Sequence, residues 1–127
     1  MKALSAAFAG LLVVLSLVSF NALAADAKPQ TIASLYQGKA SLGGKSVTVQ
    51  GKVVKVNNGI MGRNWIHIKD GSGDAKAKTN ELLVTSQQSA EVGDQVTVTG
   101  VVGIDKDFGA GYAYSLLVED AKIDVKK

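Results

Sequence analysis

The sequence predicts a small all-β domain: five strands curled into a closed barrel, with a short amino-terminal helix before them and a cleaved signal peptide ahead of that. Three observations carry this prediction. First, a Val-Thr-Val-x-Gly segment occurs twice, as Val47-Thr48-Val49-Gln50-Gly51 and Val96-Thr97-Val98-Thr99-Gly100. Both copies put Val on one face and Thr on the other. A glycine in mid-strand marks a bulge or a sharp bend at a barrel corner, so two such strands favour a closed barrel over a flat sandwich. Second, Asn64-Trp65-Ile66-His67-Ile68-Lys69 alternates with period two and runs into the turn residues Asp70-Gly71-Ser72-Gly73. Third, helical spacing after the leader is confined to one short stretch near residue 35.

The elements follow in order. Residues 1–24 read as a signal peptide: Lys2 is the positive start, Ala3 to Phe20 is apolar or small with Ser interruptions, and Ala22-Leu23-Ala24 matches the cleavage pattern. The rival reading is a membrane anchor, which needs about 18 apolar residues. The Ala and Ser content and the cleavage pattern favour removal, with the cut before Ala25. Residues 25–30 form a polar linker carrying the single proline, Pro29, and 31–127 form the domain. Thr31 caps a helix from Ile32 to about Ala40, with Ile32, Leu35 and Tyr36 on one face, and Leu42-Gly43-Gly44 ends it. The strands are expected at Gly44–Val54, Asn64–Lys69, about Glu81–Ser86, Gly93–Gly103 and Tyr112–Val118, the last continuing irregularly through Ile123 and Val125. Loops are expected at Asn57–Arg63, Asp70–Asn80 and Lys106–Gly111.

Composition narrows the function classes. Cutting before Ala25 leaves 103 residues, one domain by size, with 13 basic and 11 acidic side chains and a net charge of +2. That balance makes no strong case by itself for nucleic acid or an anionic membrane. The chain has no Cys, which removes thiolate metal sites, thiol catalysis, c-type haem attachment and a lipid anchor on cysteine. The one His lies within a strand and no nucleophile elbow, P-loop or dinucleotide fingerprint occurs, so an enzyme is not expected.

The segment Val47 to Gly73 runs strand, Gly51, Lys-Val-Val-Lys-Val, loop, then Trp-Ile-His-Ile-Lys-Asp-Gly-Ser-Gly. It resembles the anticodon-binding OB domain of class II aminoacyl-tRNA synthetases, whose second strand ends in aromatic-apolar-x-apolar-Arg-Asp-x-x-Gly. Trp65 matches the aromatic, Lys69 the basic position, Asp70 the acid and Gly73 the closing glycine; Lys stands in place of Arg, and no catalytic domain is expected. The chain after the leader also looks like small periplasmic OB-fold proteins labelled as nucleic-acid or nucleotide binding, some of which accompany c-type cytochrome systems. The resemblance implies a five-stranded OB-fold barrel and a base-stacking role for Trp65.

Ligand-binding candidates are Met61, Arg63, Trp65, His67, Lys69, Phe108 and Tyr112. Trp65 lies opposite the core-facing Ile66 and Ile68, on the face with which OB-folds bind ligand; the plain alternative is packing beneath the helix or a loop. Arg63, the only arginine, suits a phosphate or carboxylate, and Ile60-Met61 is an apolar tip that meets a partner or covers one barrel end. His67 with Met61 is a chemically reasonable axial pair for haem, but His67 has no second His or Cys. Phe108 and Tyr112 sit on the glycine-rich fourth loop, beside Asp105 and Asp107; Gly109 occupies the third ligand position of a calcium loop and spoils that motif. Lys76 and Lys78 either track a phosphate backbone or solvate a long loop. The expectation is a periplasmic, monomeric binding module without cofactor or metal, taking an oligonucleotide, nucleotide or other anionic ligand, or a periplasmic protein. The alternative is a haem- or metal-handling or protein-interaction accessory of a respiratory system with c-type cytochromes.

Overall fold

The computed structural model describes residues 29–126; the expected signal peptide and most of the linker lie outside them. The described chain opens with two short helices, α1 (Ile32–Gln37) and α2 (Lys39–Leu42). Five strands follow: β1 (Ser46–Ile60), β2 (Arg63–Lys69), β3 (Leu82–Ser86), β4 (Gln95–Asp107) and β5 (Ala113–Val125). The expected single helix to Ala40 is interrupted at Gly38, which caps α1 and precedes α2. None of the described helices is long and apolar enough to cross a membrane.

The strands hydrogen-bond in the order β1-β2-β3-β5-β4, and β4 returns to β1, so the mixed sheet closes into a ring. All pairings are antiparallel except β3 with β5. β1 is long enough to serve two neighbours, pairing with β4 over Ser46–Lys52 and with β2 over Lys52–Ile60. Gly51 stands at the hand-over. A Cβ there would sit 3.0 Å from the Lys69 carbonyl oxygen and 3.2 Å from Ile68, so the strands approach only because it has none. Its counterpart Gly100 lies at a register shift, where Asp120 and Ala121 of β5 oppose it alone and Asp120 takes a positive φ of 52°. Of the two glycines of the repeated segment, Gly51 thus permits a close approach and Gly100 sits at a bulge.

Alternation fills the ring. Val47, Val49 and Val53 of β1, Ile66 and Ile68 of β2, Leu82 and Val84 of β3, Val96, Val98 and Val102 of β4, and Leu116, Val118 and Ile123 of β5 make one buried cluster. Ile32 and Leu35 of α1 join it and are fully buried. Each such side chain contributes roughly 1.5–3 kcal/mol, and that burial holds a helix too short to persist alone.

The parallel contact of β3 with β5 is brief, Leu83 with Leu117 and Val84 with Val118. Beyond it, side chains take over the pairing. The Asp120 N–H donates to Thr85 Oγ1 at 3.3 Å, the Ser86 hydroxyl donates to the Ala121 carbonyl, and the Ile123 N–H donates to Gln88 Oε1 at 2.7 Å. This explains why Thr85 and Ser86 are buried polar residues in an otherwise apolar interior.

Two expected loops are shorter than their composition suggests. Asn57–Arg63 shrinks to a turn at Met61-Gly62, both with positive φ (53° and 75°), the geometry of a type I′ hairpin turn. Asn58 and Gly59 form a bulge opposite Asn64, whose Oδ1 accepts the Gly59 N–H at 3.0 Å. The Lys106–Gly111 loop likewise narrows, since β4 reaches Asp107 and β5 resumes at Ala113. β5 then runs unbroken to Val125, absorbing its irregularity at Asp120. The long connection Asp70–Asn80 is irregular as expected.

Candidate functional site

With Ile66 and Ile68 turned into the core, Arg63, Trp65, His67 and Lys69 occupy the outer face of β2. The register sets Asn57 across from Trp65, Lys55 across from His67, and Lys52 across from Lys69. Between Lys52 and Lys55 the ladder slips by one residue at Val54, which restores both lysines to the outer face.

Trp65 is on the predicted face but not open to solvent. It is 4% exposed and makes a second, smaller core outside the ring with Leu83 and Leu117, against which Phe108 and Tyr114 pack. Phe108 meets the indole edge-on at 5.1 Å between centroids, and Tyr114 lies at 6.2 Å. The indole Nε1–H donates to the Ile60 carbonyl at 2.8 Å. The β4–β5 hairpin folds over the indole, so its expected stacking surface is spent on protein. The Arg63 guanidinium carbon rests 5.8 Å from the Trp65 ring and 5.6 Å from the Phe108 ring, a distance for cation–π attraction.

A cleft of about 240 Å³ opens beside the indole, lined by Lys55, Asn57, Ile60, Met61, Trp65, His67, Tyr112 and Tyr114. Of the seven sequence-predicted residues it brings together Met61, Trp65, His67 and Tyr112. Arg63 and Phe108 stand on the packed side of the indole, and Lys69 lies at the far end of β2 in a separate groove. Met61 and Tyr112 form an exposed apolar lip, at 47% and 46% exposure. His67 also borders a second cleft of about 380 Å³, with Tyr36, Lys78, Glu81 and Tyr114 on its walls. His67 Nδ1 lies 2.8 Å from Glu81 Oε2, which orients the ring and leaves Nε2 outside that contact. The Tyr36 hydroxyl donates to the Glu81 carbonyl at 2.9 Å, and burial, then the Glu81 charge, raise its pKa above the ordinary phenol value. Among the described residues, no three His, Asp or Glu side chains gather to hold a metal ion.

No protein-family model matches the chain, and no curated protein matches its sequence.

Lys55, Asn57, Tyr114 and Glu81 complete the site and were absent from the predicted set. A signal for Lys55 and Glu81, though not for Asn57 or Tyr114, was legible but masked by the near-neutral total. From Pro29 to Lys69 there is no Asp or Glu and there are six Lys or Arg; from Glu81 to Asp124 there are eight acidic residues and two lysines. Folding turns this into geography: β1 and β2 make a cationic arc, and β4 and β5 an acidic one.

Asp70 and Gly73 of the strand-two motif are architectural. Asp70 Oδ2 accepts the Ile32 N–H at 2.8 Å, Ser72 Oγ accepts the Ala33 N–H at 3.0 Å, and Thr31 Oγ1 accepts the Ser34 N–H at 3.0 Å. All three leading amides of α1 are thereby satisfied, two of them by the turn after β2. Burial raises the Asp70 pKa, but the bonds from the Ser72 hydroxyl, the Ile32 N–H and the Ser72 N–H outweigh it and hold the carboxyl below its ordinary value. Gly73, at φ 82°, leaves no room for a Cβ against the Thr79 carbonyl.

Proposed function

We propose that the chain is an OB-fold binding module for a nucleotide or oligonucleotide, a ligand that joins a flat ring to anionic groups. The observation that carries this reading is the cationic arc of β1 and β2 running alongside a cleft walled by Tyr112, Tyr114 and the lip residue Met61. Rings stack on tyrosine faces and phosphates follow lysines. The cleft volume falls below the ~300–1,000 Å³ of pockets that enclose drug-sized ligands, so it suits one flat ring. Strand order, the glycine-bent β1 and ligand loops at the β1–β2 and β4–β5 hairpins support the OB-fold assignment. The leader pattern in residues 1–24 supports export to the periplasm.

The haem- or metal-handling alternative through His67 and Met61 is the weaker one. Lys55 stands directly across from His67, and Glu81 already occupies the His67 Nδ1. The cleft is also small for a macrocycle.

Calorimetric titration with thymidine 5′-monophosphate and with a six-residue oligothymidylate, at about 50 and about 200 mM salt, tests the reading. Binding should weaken with salt, and Tyr112→Ala and Lys55→Ala should each reduce affinity by about tenfold. Absence of binding by both probes, or binding indifferent to salt and to both variants, overturns it.

A further inference from the structure

Lys52 and Lys69 pair directly across β1 and β2, both exposed. Like charges in that position repel and weaken a sheet. Neither lysine forms an ion pair among the described residues. Among the described residues the ion pairs are His67 with Glu81 and Lys106 with Glu119. The closest acid in sequence, Asp70, is oriented by the Ile32 N–H, the Ser72 N–H and the Ser72 hydroxyl and makes no ion pair with either lysine. The pair borders a groove of about 640 Å³ whose other polar walls are Gln30, Thr31, Gln50, Asp70 and Gln95; the Asp70 carboxylate is taken up by the Ile32 and Ser72 donors, while the three glutamines offer amide N–H groups.

This groove is not the aromatic cleft. Lys69 is four residues beyond Trp65 along β2, about 13 Å at the usual rise of a strand. A mononucleotide with its ring in the cleft does not span that distance. Lys55 and His67 lie between, so the cationic arc continues from one site to the other.

We infer that Lys52 and Lys69 form a second anion subsite, and that the ligand is a single-stranded nucleic-acid chain that lays a ring in the cleft and a phosphate further along on the lysine pair. The inference rests on the function proposed above and narrows it from nucleotide to oligonucleotide. Two tethered contacts bind more tightly than one because the second is intramolecular.

The test compares thymidine 5′-monophosphate with the six-residue oligothymidylate on the wild type and on a Lys52→Ala/Lys69→Ala variant, with Lys52→Gln/Lys69→Gln as a second version and thermal melting as the check on folding. The wild type should bind the oligomer at least about tenfold more tightly than the monophosphate. Either double variant should bring the oligomer to within about twofold of the monophosphate and reduce its salt slope by about 1.4, two contacts at ~0.7 each. Equal affinity of the two probes for the wild type, with Tyr112→Ala still weakening both, overturns the second subsite alone. Unchanged oligomer binding by folded double variants also overturns it. Failure of both probes to bind removes the inference together with the reading beneath it.

Discussion

The Asp70 carboxylate accepts the backbone N–H of Ile32 at 2.8 Å, across 38 residues of chain. The bond joins the end of β2 to the start of α1, so the strand that faces the candidate ligand site also terminates the helix that closes the core. Asp70→Ala should lower stability by about 1–2 kcal/mol, the usual effect of losing a helix-capping acceptor. Chemical denaturation of the variant measures it, and a change under a few tenths of a kcal/mol would show that the helix is held by Ile32 and Leu35 alone.

The same carboxyl predicts a pH dependence. Its folded pKa is depressed, so its stabilisation is fully present above the unfolded value of about 3.9 and is lost as pH falls through the folded value. Asp70→Asn should flatten this part of the acid limb and lower the neutral plateau by about 1–2 kcal/mol, because the amide has one acceptor oxygen where the carboxylate uses two. Denaturation midpoints collected from neutral pH down to about pH 2 make the comparison.

Ser86 is 2% exposed, donates to the Ala121 carbonyl and accepts the Gln88 N–H at 2.9 Å. Ser86→Ala leaves both partners short of a bond where β3 and β5 share only two paired positions. The expected cost is about 1–3 kcal/mol. Amide exchange should localise the loss to Val118–Ile123 rather than to β1.

Met61 holds a left-handed conformation that Asn adopts more readily. Met61→Asn should stabilise the β1–β2 hairpin by about 0.5–1 kcal/mol. Because it also removes an apolar wall of the cleft, affinity for the oligothymidylate should fall severalfold while the melting temperature rises. A parallel loss of both would place Met61 in the packing instead.

Trp65→Ala is a packing variant before it is a binding variant. Emptying the space among Leu83, Leu117, Phe108 and Tyr114 should cost about 3–5 kcal/mol, which thermal melting reads directly. Tyr112, nearly half exposed, is the residue whose removal reports on the ligand.

Local periodicity carried the core-facing positions well: Ile66 and Ile68 of β2 and the valines of both repeated segments all face inward. A special position at Gly51 was likewise readable from the glycine within an alternating run, and the structure makes it a close approach to β2. Tertiary slips hid the rest. Asn57-Asn58-Gly59 has the composition of a loop, yet it is absorbed as a bulge because Asn64 replaces the missing ladder bond. Lys52 and Lys55 are three apart and ought to face opposite ways; the extra residue at Val54 aligns them. The cover over Trp65 depends on a hairpin more than forty residues later, which alternation within β2 has no means of encoding.

The enclosed indole has a practical side. Trp65 is the single tryptophan of the chain, bonded through Nε1 to the Ile60 carbonyl and bordering the cleft from below. The molecule thus carries one intrinsic optical reporter, shielded from bulk solvent and in contact with the hairpin that would receive a ligand. Emission from the unlabelled protein should be blue-shifted, resist external quenchers, and respond to movement of the Ile60-Met61 tip before any global unfolding is detected.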